Sequence, residues 1–204
     1  MDTCTLTVDV ADLNLNASTG SSITVVTDGT FRGDRLRVHG ETTSQIGGVG
    51  SRITLRITNS LLENVTTFLS VLGSTGPASV RAYGYNTMIL ASGGTLDCGG
   101  GTFKTVEYAN NIVVGANVTN VVTETACNAQ SNVLFPQSSP RADNILADPQ
   151  LASPVTGDLH LKPTSPAIDA ATATVLFPTA LPDYEGNARP QGVKPDIGAY
   201  ERVQ

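Results

Sequence analysis

Five side chains in this 204-residue chain have types suited to gripping a chain of sugars: Arg56, Arg81, Tyr83, Tyr85 and Glu107. Tyrosine brings a flat face and a hydroxyl, and arginine holds a carboxylate through two parallel N–H donors. Set on neighbouring strands ~4.8 Å apart, Arg56, Tyr83 and Glu107 would span roughly 10 Å, close to two sugar units. An acidic polysaccharide suits that set. Cleaving one by elimination needs more. The uronate carboxylate must be neutralised, commonly by Ca²⁺ in a cluster of Asp and Glu, and a base such as Arg must reach the C5 proton. Inverting hydrolysis needs two carboxyl groups ~6.5–9.5 Å apart. The acidic residues of the strand segments are Glu63, Asp97 and Glu107, and they form no cluster on one column. No metal site is expected, and calcium would enter only with lyase chemistry. Arg56 and Arg81 are the candidate bases. The same residues are also ordinary on a solvated strand face, so a binding or scaffold surface without catalysis is the expectation, with a polysaccharide lyase or its remnant as the alternative.

The elements that would carry these residues are strands. Only 15% of the chain is charged, Trp is absent, and no stretch repeats at helical spacing. Self-similarity is visible instead. "ITLRITNSLLE" (53–63) overlays "VRAYGYNTMIL" (80–90) at an offset of 27, placing Asn86 on Asn59. "TVEYANNIVV" (105–114) follows at an offset of 24, placing Asn110 on Asn86. "TVVTDGTF" (24–31) fits more loosely at 31, with Asp28 in the Asn place. Each segment alternates, turns at Asn or Asp, and alternates again. Those residues tolerate left-handed backbone and can stack as a ladder from one repeat to the next. The pattern predicts an all-β, right-handed parallel β-helix of about five coils, 24 to 31 residues each. An antiparallel sandwich would use Asn-Gly or Asp-Gly hairpins, of which Asp28-Gly29 is the only instance. On this frame Thr54, Arg81 and Thr105 form one outward column, Arg56, Tyr83 and Glu107 a second, and Thr58, Tyr85 and Ala109 a third. Leu55, Ile57, Leu61 and Val65 point inward.

Ten of the eleven prolines lie at or after Pro136. Proline cannot donate to a ladder, so coils are expected over 1–135 and a capping, wrapping segment of the same domain over 136–204. That segment should cover the open apolar end of the stack. Within it, Asp169, Asp183, Arg189, Asp196 and Glu201 are expected to form ion pairs that hold the wrap.

The wrap also carries a resemblance. Its landmarks are Ala147-Asp148-Pro149, Gly157-Asp158-Leu159-His160-Leu161, Ser165-Pro166-Ala167-Ile168-Asp169, Asp183 with Gly186, Arg189-Pro190, and Asp196-Ile197-Gly198-Ala199-Tyr200-Glu201. Over about residues 143–201 this string resembles the C-terminal region of bacterial extracellular β-helix proteins labelled choice-of-anchor Q domain proteins. The resemblance implies a secreted or cell-surface parent with further coils. "MDTCTLTVDV" has neither the basic start nor the apolar core of a signal peptide, so a truncated gene, a cassette or a fragment is expected. Fold alone says little about activity.

Other classes recede. A formal charge of −6, with three Lys and no strong basic patch, argues against nucleic acid. No stretch reaches the ~18 apolar residues of a membrane-spanning helix. Cys4, Cys98 and Cys127 match no zinc spacing. Cys98 and Cys127 lie about one coil apart, so a disulfide and a pair of buried thiols are both open. His39 and His160 are isolated, and His160 is expected to pack or hydrogen-bond. "GGVGS" lacks the Asp of a calcium repeat, and "GGTLDCGGGTF" lacks the Lys of a phosphate loop. The sequons at Asn16, Asn64 and Asn117 are expected by chance in so Ser/Thr/Asn-rich a chain. An uncapped first coil at Leu6, Val8 and Val10 would expose strand edges and favour an end-to-end homodimer.

Overall fold

Short alternating runs, each followed by a residue with left-handed backbone, order the chain. The computed structural model describes residues 6–11, 14–17, 22–26, 29–40, 45–49, 53–68, 80–96, 105–115, 128–136, 142–178 and 181–203. One six-stranded sheet holds, in order, β1 (Leu6–Ala11), β4 (Gly29–Asp34), β7 (Ile53–Thr58), β9 (Val80–Gly84), β11 (Thr105–Ala109) and β13 (Asn128–Gln130). A second holds β2 (Asn14–Ala17), β5 (Arg37–Gly40), β8 (Leu61–Phe68), β10 (Thr87–Leu96), β12 (Ile112–Gly115) and β14 (Val133–Phe135). A third pairs β3 (Ser22–Val26) with β6 (Gln45–Val49), and a hairpin pairs β15 (Leu151–Ser153) with β16 (Asp158–Leu161). All pairings in the first three sheets are parallel, and the hairpin is antiparallel. The one helical piece among the described residues is a 3-10 turn, Pro154–Thr156. The fold is therefore all-β, built of parallel sheets of short strands.

The chain visits the first sheet, turns, enters the second, and returns. Register partners in the first sheet are Leu6 with Gly29, Gly29 with Ile53, Thr54 with Val80, Val80 with Thr105, and Glu107 with Asn128. These separations are 23, 24, 26, 25 and 21 residues, shorter and more even than the sequence overlay. One residue of error at the 53–65 overlay matters because side chains alternate with period two. Tyr83 pairs with Ile57 and Tyr108, and Arg56 pairs with Ala82. Tyr83 is thus an inward residue, fully buried and stacked on Tyr108 at 5.2 Å, and it leaves the expected column with Arg56 and Glu107. Val38, Leu62, Met88, Val113 and Leu134 form the facing inward column of the second sheet.

The expected Asn ladder is displaced by one position as well. The left-handed residue between the two sheets is Arg35, Asn59, Tyr85, Asn110 and Ser131 in successive repeats, with φ of 50°, 48°, 59°, 59° and 54°. The residue after it makes the ladder. Asn86 Oδ1 accepts from Ser60 N at 3.0 Å, Asn111 Oδ1 from Asn86 N at 3.1 Å, and Asn132 Oδ1 from Asn111 N at 2.9 Å. Asn144 Oδ1 accepts from Asn132 N at 2.9 Å. Each Nδ2 donates back to a carbonyl three residues earlier in the preceding repeat's frame: Asn86 to Ile57 O, Asn111 to Tyr83 O, Asn132 to Tyr108 O and Asn144 to Ala129 O. Asn86 therefore belongs to the ladder, whereas Asn59 and Asn110 occupy the left-handed site beside it. Asp28 lies outside the described residues, and the turn of its repeat falls at Arg35.

Beyond Phe135 the chain adds half a layer, where Ile145 bridges Val133 and Asn144 ends the ladder. It then runs along the flank of the stack. The outward residues Leu61, Ile112 and Val133 of the second sheet are buried beneath Leu151, Leu159, Ala167, Ile197 and Ala199. The wrap also seals the turns: Gly198 N donates to Asn110 O, Ala199 N to Thr87 Oγ1, and Asn110 exchanges two bonds with Thr172. Asn111→Ala removes an oxygen that accepts two bonds and an amide nitrogen that donates two, leaving Asn86 N and Tyr83 O without them in a dry turn, at about 1–3 kcal/mol for each backbone group left unpaired. A loss of at least about 3 kcal/mol in urea unfolding is the expected outcome, with no comparable loss for Lys162→Ala on the exposed hairpin.

Candidate functional site

The five residues expected to face a ligand do not form an open surface. Tyr83 is interior. Tyr85 is 2% exposed, edge-on to Phe177 and roofed by the Arg189 guanidinium at 4.9 Å. Burial pushes its hydroxyl pKa up. Glu107 is buried and hydrogen-bonded by Thr174 Oγ1. Arg56 is outward but half-buried, with its guanidinium 5.0 Å from the Phe177 ring centre, and burial followed by Arg32 lowers its pKa. Phe177 is the lid over Tyr85 and Arg56, and Thr174 covers Glu107. Phe177 sits so close to Gly84 that a Cβ there would lie 2.6 Å from the ring. Arg81 shares the register position of Leu55 and Val106, and its side chain lies outside the described residues, as do Val65, Asp97 and the three cysteines.

Four of the five wrap residues converge. Arg189 donates to Glu201 Oε2 at 3.0 Å, with both side chains essentially unexposed, and to the Asp196 and Gly198 carbonyls. Asp183 accepts from the backbone N–H groups of Glu185, Asn187 and Glu201, and Asp196 from those of Asp169 and Arg202. Asp169 joins through that backbone bond and receives Lys194 N on its own carboxylate. Burial raises the carboxyl pKa of Asp196 and Glu201 and lowers that of Arg189. These carboxylates are spent on backbone N–H groups and on Arg189.

An open cleft of about 310 Å³ lies elsewhere, between the outer face of the second sheet and the Pro154–Gly157 turn. Arg37, His39, Glu63, Asn64 and Ile89 line it from the sheet, with Ile89 the register partner of Glu63, and Pro154, Val155, Thr156 and Gly157 line it from the turn. β5 and β8 place the polar wall, with His39 and Glu63 as register partners. Glu63 is 8% exposed at its side chain and accepts from Arg37 Nε at 3.0 Å. His39 Nδ1 stands 4.0 Å from the same carboxylate oxygen. Arg37 Nη2 also donates to Gly157 O at 3.3 Å. Gly157 has φ of 79°, which favours glycine, and a Cβ on it would lie 2.8 Å from Arg37 Nη2, so a methyl there would push the guanidinium aside. The arrangement can donate and accept hydrogen bonds on one side and offer an apolar face on the other, the usual make-up of a small polar ligand's site. Sequence reasoning passed over it. An offset of 24 applied to His39 would have found Glu63, but nothing local announces that residue 157 arrives there.

Beside the cleft mouth, His160 is not isolated. Its Nδ1 lies 2.7 Å from Asp158 and its Nε2 3.2 Å from Glu185, and the ring stacks on Tyr200 at 4.0 Å. Burial, then Glu185 and Tyr184, raise the Tyr200 hydroxyl pKa. The bond from His160 holds the Asp158 carboxyl below its ordinary range. A depressed folded-state value favours the folded chain above the ordinary carboxylate pKa, and that contribution fades as pH falls through the depressed value. In a ¹³C-carboxyl titration, His160→Ala should move the Asp158 midpoint upward toward the ordinary range; an unchanged midpoint would mean the imidazole is not the cause.

Among the described residues, no three His, Cys, Asp or Glu side chains are placed to share a metal ion, and no helix is long and apolar enough to cross a membrane. No family model, curated protein or solved structure matches the chain.

Proposed function

We propose that the chain is a right-handed parallel β-helix module of an extracellular or cell-surface protein, which binds carbohydrate without transforming it. Parallel strands joined by repeated crossovers, bound through a side-chain amide ladder, support the helix, and right-handedness is the strong rule for such crossovers. The motif string over 143–201 supports the extracellular assignment by resemblance to choice-of-anchor Q domain proteins.

The observation that carries the binding reading is the cleft with Arg37, His39, Glu63 and Asn64 on the sheet and Pro154 and Val155 on the turn that faces it. A sugar ring has an apolar face and a hydroxyl edge, and the two walls match them. The alternative, a calcium-assisted polysaccharide lyase using Arg56, Arg81 or Glu107, is less well supported because Phe177 and Thr174 cover the Arg56–Glu107 face.

The test is a glycan array probed with the full chain, alongside absorbance assays for unsaturated uronate on pectate, alginate and glycosaminoglycans, with calcium and with chelator. Retention of a glycan class with no absorbing product is the expected result. No retained glycan would leave only a scaffold, and product formation would make the chain a lyase. The proposal includes an end-to-end homodimer through β1 and β2, the first strands of their sheets. A monomer at high concentration by light scattering would remove that part.

A further inference from the structure

Resting on the carbohydrate reading, we infer that the cleft takes an uncharged glycan rather than the acidic polysaccharide that the arginines suggested. The inference comes from where the charges already point. The one guanidinium in the cleft, Arg37, is committed to the Glu63 carboxylate at 3.0 Å and to Gly157 O at 3.3 Å. The imidazole of His39 also has that carboxylate as its neighbour, at 4.0 Å. A charge gained on His39 would therefore be directed at Glu63, as Arg37 is. Glu63 is nearly buried and is the one carboxylate among the described lining residues. A ligand carboxylate entering here would meet the Glu63 carboxylate and compete with it for a guanidinium already engaged. Like charges at such range repel strongly where water is displaced.

Hydroxyl groups meet no such obstacle. A sugar diol can donate to the Glu63 carboxylate and accept from His39 and from the Asn64 amide. The ring face can lie on Pro154 and Val155. Val155 is 98% exposed, an apolar side chain with no packing role inside the fold. It is the wall a sugar face would cover. The ligand class is thus a polymer of neutral hexoses or pentoses, recognised by hydroxyls and ring face.

Isothermal titration of the full chain with β-1,4-glucose and α-1,4-galacturonate hexasaccharides, at equal ionic strength, tests this. The expected result is tighter binding of the neutral oligomer by about ten-fold or more, with Kd raised about five-fold or more by Val155→Ser and by His39→Ala. Both changes are at exposed positions, so both variants should unfold at the wild-type midpoint. Gly157→Ala, which drives a methyl against Arg37, should weaken binding too. Tighter binding of the galacturonate oligomer would overturn the neutral-glycan inference and leave the carbohydrate reading intact. Neutral binding that Val155→Ser and His39→Ala leave unchanged would overturn the cleft as its site. A panel of other neutral and uronate hexasaccharides follows if neither oligomer binds, and failure of the whole panel would remove the carbohydrate reading and the inference together.

Discussion

Every repeat of this chain must turn between two sheets in a place water does not reach. The backbone groups at that turn need partners, and neighbouring strands supply only some of them. A side-chain amide solves the problem because it carries a donor pair and an acceptor within one flat group. Each Asn of the ladder accepts from the N–H of the layer before it. It donates both to the next amide and to a carbonyl that the turn leaves behind. Leu36 N meets Ser60 Oγ in the earlier repeats, a shorter version of the same device. The in-register stacking of both large sheets depends on this line of amides. A layer slipped by one residue would break the ladder and turn an inward column outward.

The ladder has a consequence for the flank. Placing Asn at the second turn residue puts a left-handed residue before it and an outward residue after it. In three successive layers that outward residue is Leu61, Thr87 and Ile112. Such a face cannot remain in water at no cost, and the Pro-rich segment lies over it. Proline suits this task because the segment contributes side chains and scattered backbone bonds instead of another ladder. The Arg189–Glu201–Asp196–Asp183 network then fixes a segment that has almost no regular structure of its own. Removing one partner of such a buried pair is far more damaging than the pair is stabilising, so the network enforces one path for the wrap.

The same path decides which surface remains open. Phe177 and Thr174 close the Arg56–Tyr85–Glu107 side, while the Pro154–Gly157 turn stops short of sealing Glu63 and leaves the cleft. An open site and a covered face are thus two results of one docking event. The charge pattern follows as well: the wrap is rich in acidic residues, and two of them, Asp158 and Glu185, come to rest on either side of His160 near the mouth.

Much of this was legible in the residues themselves. Strand content, a repeat of about two dozen residues, the inward Leu55 and Ile57, and the change of character at Pro136 follow from alternation and from proline's missing donor, whereas Leu61, expected inward, faces outward beneath the wrap. Register was less legible, because "YNT" and "NNI" offer two adjacent candidates for one turn residue. Overlaying Asn86 on Asn59 instead of on Ser60 lengthened that offset from 26 to 27 and sent Tyr83 to the wrong face, and taking Asn110 instead of Asn111 shortened the next from 25 to 24. The wrap's own contacts were not legible at all. Which strand residues are covered by Thr174 and Phe177, and which turn carbonyl meets Arg37, depends on contacts across some 67 to 120 residues of chain. Local pattern determines that a residue lies on a strand and, with correct register, which side it faces. Only the docked tertiary structure decides whether that side meets water, because burial of an outward face is a property of what packs against it.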